Sequence, residues 1–383
     1  MGWKYSLHRT RDGVPVAHLR PASAGSWARR LWYKCSGSHD FIIPEDSADA
    51  FDIWSITRYF PASRVLVVSW EDEEGGVTPL YAGVIWRLRY SSSNRTVSVS
   101  HEDIWSIWER RFVNGRWASF NDPEVRAMET WTNFSDYSLP AWVYRIVEWG
   151  QRSSTPDFDT GNLPIRNPED NSSGDLGRRY WTYEFTTVRD ALSEVPEAEP
   201  DAVVDFVPAL TRGNRFRWEV SVSTSAPEGI RLNASAPGSP VSDITLEHDA
   251  TNYASEVNLT GGGSETASPY YYRTTTGNED NRVHLAAHES RPELTSGLAV
   301  NWASTGLFQE RLRAAQQIEC SVNLGGETGV DPADLELGSR VRLLASSDPL
   351  IGEDMLDLIL IGFRPDGPYK ARLEFSDING FRG

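Results

Sequence analysis

Two histidines in the segment HLAAH, His284 and His288, have the i, i+4 spacing of metal ligands on one face of a helix. The helical zinc motif also needs a glutamate directly after the first histidine, but a leucine follows here. A third ligand is not apparent near this pair. The sequence therefore predicts no bound metal, and we interpret both histidines as ordinary residues of the fold.

Two glycine-containing segments could bind ions but lack part of the required pattern. TGGGSE, residues 260–265, has neither the lysine nor the following helix of a phosphate-binding loop. EDEEGG, residues 71–76, is acidic but lacks the alternating oxygen ligands of a calcium-binding loop. We predict that both segments are hairpin turns, and we expect no cofactor.

The sequence contains no nucleophile-elbow motif and no closely spaced cysteine pair. Cys35 and Cys320 lie far apart, so we predict free buried thiols in a reducing compartment. The 15 tryptophans and 14 tyrosines could instead line a sugar cleft served by two of the many carboxylates. An aromatic-rich secreted β protein that binds or hydrolyses polysaccharide is therefore one alternative.

Several observations weigh against an enzyme and against other classes of protein. Trp86, Trp105 and Trp142 lie on the apolar faces of their predicted elements, where core packing is the usual role. The net charge of −17, from 37 basic and 54 acidic residues, disfavours a protein that holds nucleic acid by its phosphates. Without an apolar leader or a run of membrane-spanning length, we expect no membrane anchoring by this chain.

Residues 80–111 are predicted to form a strand, a polar turn, a second strand and a short helix. In the first strand apolar residues alternate with Arg87 and Arg89, which indicates one buried and one outward face. Ser100 and Asp103 have capping-box-like spacing before the aromatic helix. Other short strands, typical of a small barrel or sandwich, are predicted over residues 14–20, 27–34, 64–70 and 79–100.

Between residues 101 and 200 the pattern becomes partly helical. The segment LPAWVYRIVEWG places five apolar residues on one helical face: Leu139, Trp142, Val143, Ile146 and Val147. Thr187 and Asp190 have capping-box spacing at the start of a second helix. The polar segment 151–178 between these helices is predicted to be a long surface loop.

Strands are predicted again from residue 215, followed by one helix and C-terminal strands. The segment GLFQERLRAAQQI indicates a helix with one apolar face: Phe308, Leu312, Ala315 and Ile318. In the last strand four residues are expected to point inward: Tyr369, Ala371, Leu373 and Phe375. Three are expected to point outward: Lys370, Arg372 and Glu374.

The C-terminal strands match the N-terminal ones in order. The matching pairs are SRVLVVS (63–69) with SRVRLLA (339–345), AGVIWR (82–87) with IGFR (361–364), and VSVSHED (97–103) with LEFSD (373–377). An internal repeat of one β module explains the shared order, and chance similarity of short amphipathic strands is the alternative. A repeat predicts that these regions superpose with Gly83 opposite Gly362.

In these blocks, and in TTVRDALSEV followed by FRWEVSVST, the chain resembles the minor tail hub proteins of long-tailed phages and prophages, labelled Gp37-like in siphoviruses. The resemblance implies a phage tail hub fold that is mainly β with α insertions. It would contain two tail-tube-like β-barrel or sandwich modules plus smaller α+β inserted domains. The implied domains are a first module at 1–103 completed by strands around 204–250, an α-containing domain at 104–200, and a second module at 251–383 with a small insertion around 285–330.

The resemblance also implies a non-enzymatic structural hub at the distal tip of a phage tail, in the baseplate. Three chains carrying two modules each would match a sixfold tail tube and offer threefold symmetry to a central spike. The implied partners are a second and third copy in a homotrimer, the distal tail or tail tube protein, the central fibre or spike protein, and the tape measure protein. DNA would pass only in transit during genome ejection, through a protein assembled in the host cytoplasm and located in the virion.

Six basic residues at outward strand positions form a candidate assembly interface: Arg87, Arg89, Arg340, Arg342, Lys370 and Arg372. Glu374 is the one acid that the alternation places among them. These residues could face acid-rich turns of a neighbouring subunit, or they could line the channel. We prefer the interface, because a strongly basic constriction would retain DNA by counterion release.

Overall fold

A computed structural model describes most of the chain, in these ranges: 1–22, 25–43, 62–113, 131–151, 163–181, 184–199, 202–263, 268–274, 283–292, 294, 296–311, 315–346 and 355–377. The chain divides into two compact units. One unit comprises Met1–Ile244 and Cys320–Phe375, and the other comprises Thr245–Glu319 and Ser376–Gly383. The first unit contains two large sheets, and the second contains a small sheet covered by a helix.

The first large sheet is antiparallel and has the order β2-β1-β5-β6-β7-β4. Its strands are β1 (Gly2–Arg9), β2 (Pro15–Leu19), β4 (Ser36–Ile42), β5 (Arg64–Glu71), β6 (Val77–Ser91) and β7 (Thr96–Glu102). Residues of β5 from Arg64 to Trp70 are all buried, because this strand lies in the interior of the sheet with both faces covered. The acidic segment 71–76 forms the turn between β5 and β6, as predicted, with the Gly76 amide donating to Asp72 Oδ1 at 2.6 Å.

Short helices and strands cover one face of this sheet. They are α1 (Trp105–Trp108), β8 (Trp131–Tyr137), α2 (Leu139–Gln151), β9 (Ile165–Arg166), β10 (Leu176–Trp181), α3 (Val188–Ser193), α4 (Val195–Ala198), β11 (Val203–Leu210) and β12 (Phe216–Ser223). A single apolar cluster joins Val65 and Val84 of the sheet to Trp108 of α1, Trp142 of α2 and Trp218 of β12. The predicted apolar face of α2 and the Thr187–Asp190 capping box of α3 are both confirmed.

Two local predictions in this region are wrong. The Asp103 carboxylate caps α1 by accepting from the Trp105 amide at 3.1 Å, whereas Ser100 is exposed and takes no part in a capping box. The described part of the predicted loop 151–178 contains β9 and the start of β10. Strand β9 pairs with β12 and β10 pairs with β8, so long-range pairing overrides a turn-like local composition.

The second large sheet has the order β13-β19-β20-β21-β18-β14, and β3 also pairs with β20. Its strands are β3 (Arg29–Arg30), β13 (Glu228–Asn233), β14 (Val241–Asp249), β18 (Ala315–Asn323), β19 (Arg340–Leu344), β20 (Met355–Pro365) and β21 (Lys370–Asp377). Strands β19, β20 and β21 follow one another in the sheet, as β5, β6 and β7 do in the first. The strand order predicted for the repeat is therefore present in both sheets.

The two sets of three strands differ in register. Strands β5 and β19 can be aligned on their shared Ser-Arg-Val sequence, which places Val65 opposite Val341 in the alignment. Val65 pairs with Val84 of β6, whereas Val341 pairs with Leu358 of β20. Gly83 comes one residue before Val84, whereas Gly362 comes four residues after Leu358. The predicted equivalence of the two glycines is therefore wrong in this alignment.

Two further expectations for the C-terminal region are corrected. Glu374, expected to point outward, is only 1% exposed because it pairs with Arg30 of β3 and with Arg364. Tyr369, expected to point inward, is 52% exposed in the turn before β21. Ala371, Leu373 and Phe375 are buried as predicted.

The second unit contains β15 (Glu256–Gly261), β16 (Tyr270–Thr274), β17 (Ala286–Arg291) and α5 (Gly297–Arg311). The helix begins earlier than the predicted one, and Ile318 lies on strand β18. Strands β15 and β16 form an antiparallel hairpin around the glycines of TGGGSE, as predicted. His288 lies on β17 and His284 lies just before it, so the two histidines do not share a helical face.

Both cysteines are buried and free, as predicted. Strands β11 and β12 pack with the first sheet, while β13 belongs to the second sheet. In the sequence, the boundaries of the compact units fall at 244/245, 319/320 and 375/376. They do not coincide with the domain boundaries given above, which stay a prediction. Within the described residues, no helix has the length and apolar character needed to cross a membrane.

Candidate assembly surface

Arg87 and Arg89 lie on the outer half of β6, beyond a bulge at Trp86. The register shift between Ile85 and Arg87 leaves Trp86 as an extra residue, and both arginines are exposed opposite serines of β7. Neither guanidinium forms an ion pair or hydrogen bond with a residue that the structure describes. Within the described part of the chain, no acid neutralises these two positive charges.

Trp86 lies where the outer half of β6 begins, and its side chain contacts α1. Its indole Nε1 donates to Ser106 Oγ at 2.9 Å, and the Arg110 guanidinium lies 3.9 Å from the ring centroid, a cation–π contact. Trp86 is only partly buried, and Tyr90 further along the strand is 53% exposed. The predicted apolar face of β6 is therefore increasingly exposed towards the turn, where the strand extends beyond the apolar core.

Arg340 and Arg342 of β19 are engaged within the chain. Arg340 lies 3.1 Å from Asp357 and 3.8 Å from Glu228, and Arg342 lies 3.4 Å from each of these acids. The acids belong to β13 and β20, the two strands that flank β19. Cross-strand ion pairs of this kind contribute modestly to a sheet, so these arginines mainly neutralise neighbouring acids.

Of the two basic residues on β21, Arg372 forms an ion pair within the chain, whereas Lys370 forms none with the described residues. Arg372 pairs with Asp243 at 2.7 Å, and its side chain is 18% exposed. Lys370 is half-buried, with no side-chain ion pair to the described residues. The structure therefore leaves three of the six predicted residues without an internal acid in the described part: Arg87, Arg89 and Lys370. Sequence alternation found the basic positions but not their acidic partners on other strands of the sheet.

An acidic cleft lies beside β13 in the same compact unit. It has a volume of about 620 Å³, and four carboxylates line it: Glu228, Asp331, Asp334 and Glu336. Arg231 is the one basic residue among its described lining residues. Because Glu228 also pairs with Arg340 and Arg342, the negative charge of the cleft depends mainly on Asp331, Asp334 and Glu336. A cleft of this charge is complementary to Arg87 and Arg89, which form no ion pair with the described residues.

Two ion pairs hold strand β3, one to β11 outside the second sheet and one to β21 within that sheet. Arg29 donates to Asp205 of β11, and Arg30 donates to Glu374 of β21. A Cβ atom at Gly362 would lie 2.7 Å from Arg30 Cγ, so this glycine makes room for the buried pair. The nearly full burial of Glu374 makes its pairing structurally important.

Asp103, which follows β7, is a buried carboxylate with only a small cavity beside it. Burial raises the pKa of Asp103 to about 7, against the opposing effect of the Cys35 and Trp105 amides that donate to its carboxylate. The nearby cavity has a volume of about 20 Å³, room for about one water molecule. Asp103 therefore has a capping role and cannot reach a large substrate. Among the described residues, no His, Cys, Asp or Glu group is arranged to bind a metal ion.

Comparisons with known proteins bear on the fold. No family model matches this sequence, and no curated protein matches it either. Among solved structures, the chain is similar to the 43 kDa tail protein of prophage MuSo2 from Shewanella oneidensis, with a TM-score of 0.57, 11% identity and 99% of each chain covered. It is also similar to a tail protein from Neisseria meningitidis MC58, with a TM-score of 0.56, 13% identity and coverage of 100% of this chain and 98% of that one.

A third similar structure is a chain of a PdpA–VgrG complex, with a TM-score of 0.50, 8% identity and coverage of 98% of this chain but 64% of that one. At these identities the likeness shows the fold alone. The chain is mainly β with helical insertions, and it has the fold of phage tail proteins over its whole length. The fold class predicted from the sequence is confirmed.

Proposed function

We propose that this chain is a structural protein of a phage tail or baseplate, and more specifically the hub at the distal tip. In this role it links the tail tube to a central fibre or spike and lines the channel through which DNA leaves. The observation that carries the proposal is the end-to-end likeness to two phage tail proteins, which leaves almost no part of either chain unmatched.

The internal arrangement supports a ring of three subunits. Each chain contains two sheets with the same order of three central strands. Three chains would then present six related surfaces to a sixfold tube and a threefold axis to a spike. The tape measure protein and DNA would pass through such a ring only in transit, and the protein would be assembled in the host cytoplasm before it becomes part of the virion.

Charge complementarity supports a contact between neighbouring subunits. Arg87 and Arg89 have no ion pair with the described residues, and the acidic cleft lies on a different sheet of the same unit. A head-to-tail contact would place the arginines of one subunit against the cleft of the next, and such contacts close into a ring when the rotation allows. Guanidinium groups pair well with carboxylates at such contacts.

Hydrolysis of polysaccharide fits the described residues less well. A glycosidase needs a carboxylic acid with a raised pKa beside a second carboxylate, both in contact with the sugar. Asp103 has a raised pKa, but its oxygens bind backbone amides beside a cavity far too small for a sugar. The structural role is therefore the better-supported function.

Native mass spectrometry of the purified full chain tests the proposal. A species of three times the chain mass of 42.9 kDa is expected, together with three copies per tail in intact particles. A chain that stays monomeric at all concentrations and is absent from tail particles would rule out the hub.

A further inference from the structure

The three-stranded sheet of the second compact unit has one covered face and one open face. The covered face packs on α5 through an apolar core that includes Val257, Leu259, Val300 and Leu307. Because side chains alternate across a strand, the residues between these point the other way. Among the described residues, the open face consists of Glu256, Asn258 and Thr260 on β15, Tyr270, Tyr272 and Thr274 on β16, and Ala286, His288 and Ser290 on β17. We refer to this set as the tyrosine face.

Two phenol rings and a row of polar groups lie next to each other on the tyrosine face. Tyr270 is 52% exposed opposite Thr260, and Tyr272 is 59% exposed opposite Asn258. Two positions on one strand face are about 7 Å apart. His288 flanks Asn258 on the other side. The face therefore offers flat apolar rings together with hydroxyl, amide and imidazole groups.

Hydrogen bonds within the tyrosine face hold its polar groups in place. The Tyr270 hydroxyl donates to Asn258 Oδ1, and the Asn258 amide donates to Glu256 Oε1 at 2.8 Å. Thr260 Oγ1 lies 3.3 Å from His288 Nε2. The hydrogen bond from the Asn258 side-chain amide, together with the nearby His284, lowers the pKa of Glu256. Glu256 is therefore an ionised hydrogen-bond acceptor at neutral pH. Groups fixed in this way lose little entropy when a ligand binds.

We propose that the tyrosine face binds a neutral oligosaccharide. A pyranose ring has an apolar face of C–H groups that stacks on a phenol ring, and a rim of hydroxyls that donate and accept hydrogen bonds. The tyrosine face provides partners for both over neighbouring strands. The Glu256 carboxylate disfavours a polyanion. The core of a protein interface is enriched in tyrosine but depleted in serine and glutamate, and both of these residue types lie on this face beside the tyrosines.

The tyrosine face binds the sugar and does not cleave it. Glycoside hydrolysis requires two carboxyl groups on either side of the scissile bond. Glu256 is the one carboxylate among the described residues of this face, because Glu289 points to the covered side and pairs with Arg291. The site is therefore a surface for recognition, and it goes beyond the structural role proposed above.

Isothermal titration calorimetry of the full chain tests this inference with three probes: maltohexaose, cellohexaose and chitohexaose. The wild-type chain is expected to bind at least one of them. Tyr272→Ala should weaken that binding about tenfold or more, which corresponds to about 1.4 kcal/mol. Tyr272→Phe, which keeps the ring, should stay within about threefold, since stacking depends on the aromatic face. Tyr33→Ala removes a tyrosine that is 66% exposed outside this unit and should have no effect.

Three results would overturn the inference. One is the absence of binding to all three probes by the folded wild-type chain. Another is unchanged affinity in Tyr272→Ala, with circular dichroism showing that the variant is folded. The third is a loss of self-association, without loss of sugar binding, when Tyr270 and Tyr272 are both replaced by alanine, because the face would then be a contact between protein subunits. The first two results can be obtained whether or not the chain forms a trimer, whereas the third requires a chain that self-associates.

Discussion

Nε2 of His101 lies 2.8 Å from Nδ1 of His39 in the interior of the first sheet, and the Tyr81 hydroxyl lies 2.9 Å from the other ring nitrogen of His101. Burial lowers the pKa of His39 to about 4 and that of His101 to about 3, where the neighbouring His39 adds to the effect. Both rings are therefore neutral at pH 7. Gly83 belongs to the same arrangement, because a Cβ atom there would lie 2.6 Å from both His101 and Tyr81.

This pair should make the protein less stable in mild acid. Unfolded histidines titrate near pKa 6.5, so below that pH the unfolded state binds more protons than the folded state. The stabilising contribution of the neutral pair is complete above about pH 6.5 and is lost as the pH falls towards about 3, the lower of the two pKa values in the folded protein. Urea unfolding at several pH values should show a smaller fall in the free energy of unfolding with decreasing pH for His101→Asn than for wild type. An equal fall in the two proteins would contradict the assignment.

Local sequence patterns predicted some of this arrangement but not the reason for it. Val97 and Val99 lie in the second strand predicted within residues 80–111 and are buried, and Gly83 lies within the first strand, as predicted. It could not show that the glycine makes room for a histidine, because His39 and His101 are 62 residues apart and meet only when β4 pairs with β7. Contacts of this kind depend on sheet order, which a single strand does not encode.

A second prediction compares two glutamates that each pair with two arginines. Glu374 is 1% exposed and pairs with Arg30 and Arg364, so Glu374→Gln should lower the free energy of unfolding by about 1.5 to 3 kcal/mol, the usual loss for hydrogen bonds to charged groups. Glu228 is 62% exposed, so Glu228→Gln should cost at most about 1 kcal/mol. Chemical denaturation of both variants measures the difference, and a cost for Glu228→Gln equal to that of Glu374→Gln would show that burial is not decisive.

The α2 helix provides a third prediction. Trp142 is 3% exposed in the cluster that joins α2 to the first sheet. Trp142→Ala removes most of a large buried side chain and should lower the free energy of unfolding by about 3 to 5 kcal/mol. Tyr33→Ala, at a 66% exposed position, is the control and should stay within about 0.5 kcal/mol of wild type. A loss near zero for Trp142→Ala would mean that the helix packs differently.

The candidate assembly surface shows what the alternation of residues along a strand can and cannot predict about exposed charges. It identified six basic residues, but Arg340 and Arg342 pair with acids on adjacent strands, and Arg372 pairs with Asp243 on β14, two strands away in the same sheet. These acids lie far along the sequence from the arginines or across a strand pair, so the pairing could be found only from the sheet order. Arg87 and Arg89 differ because β7 places serines opposite them. The part of the prediction that concerns an intersubunit contact therefore depends mainly on these two residues.

The last prediction concerns that contact. Replacing Arg87 and Arg89 with glutamate reverses two exposed charges that form no ion pair with the described residues, so the isolated chain should stay folded. If these arginines face acids of a neighbouring subunit, the double variant should assemble less well than wild type. The difference should be largest at low salt and should shrink at about 1 M salt, where the Debye length is about 3 Å.

Arg212→Glu with Arg215→Glu is the matched control, because it reverses two exposed charges at the β11–β12 turn. Native mass spectrometry and sedimentation of wild type, the double variant and the control separate the two possible roles of Arg87 and Arg89. An interface predicts weaker rings only in the first double variant. A channel lining predicts intact rings with weaker retention of DNA, because counterion release contributes to binding of DNA by basic residues. Rings that are unchanged at low and high salt would therefore refute the interface.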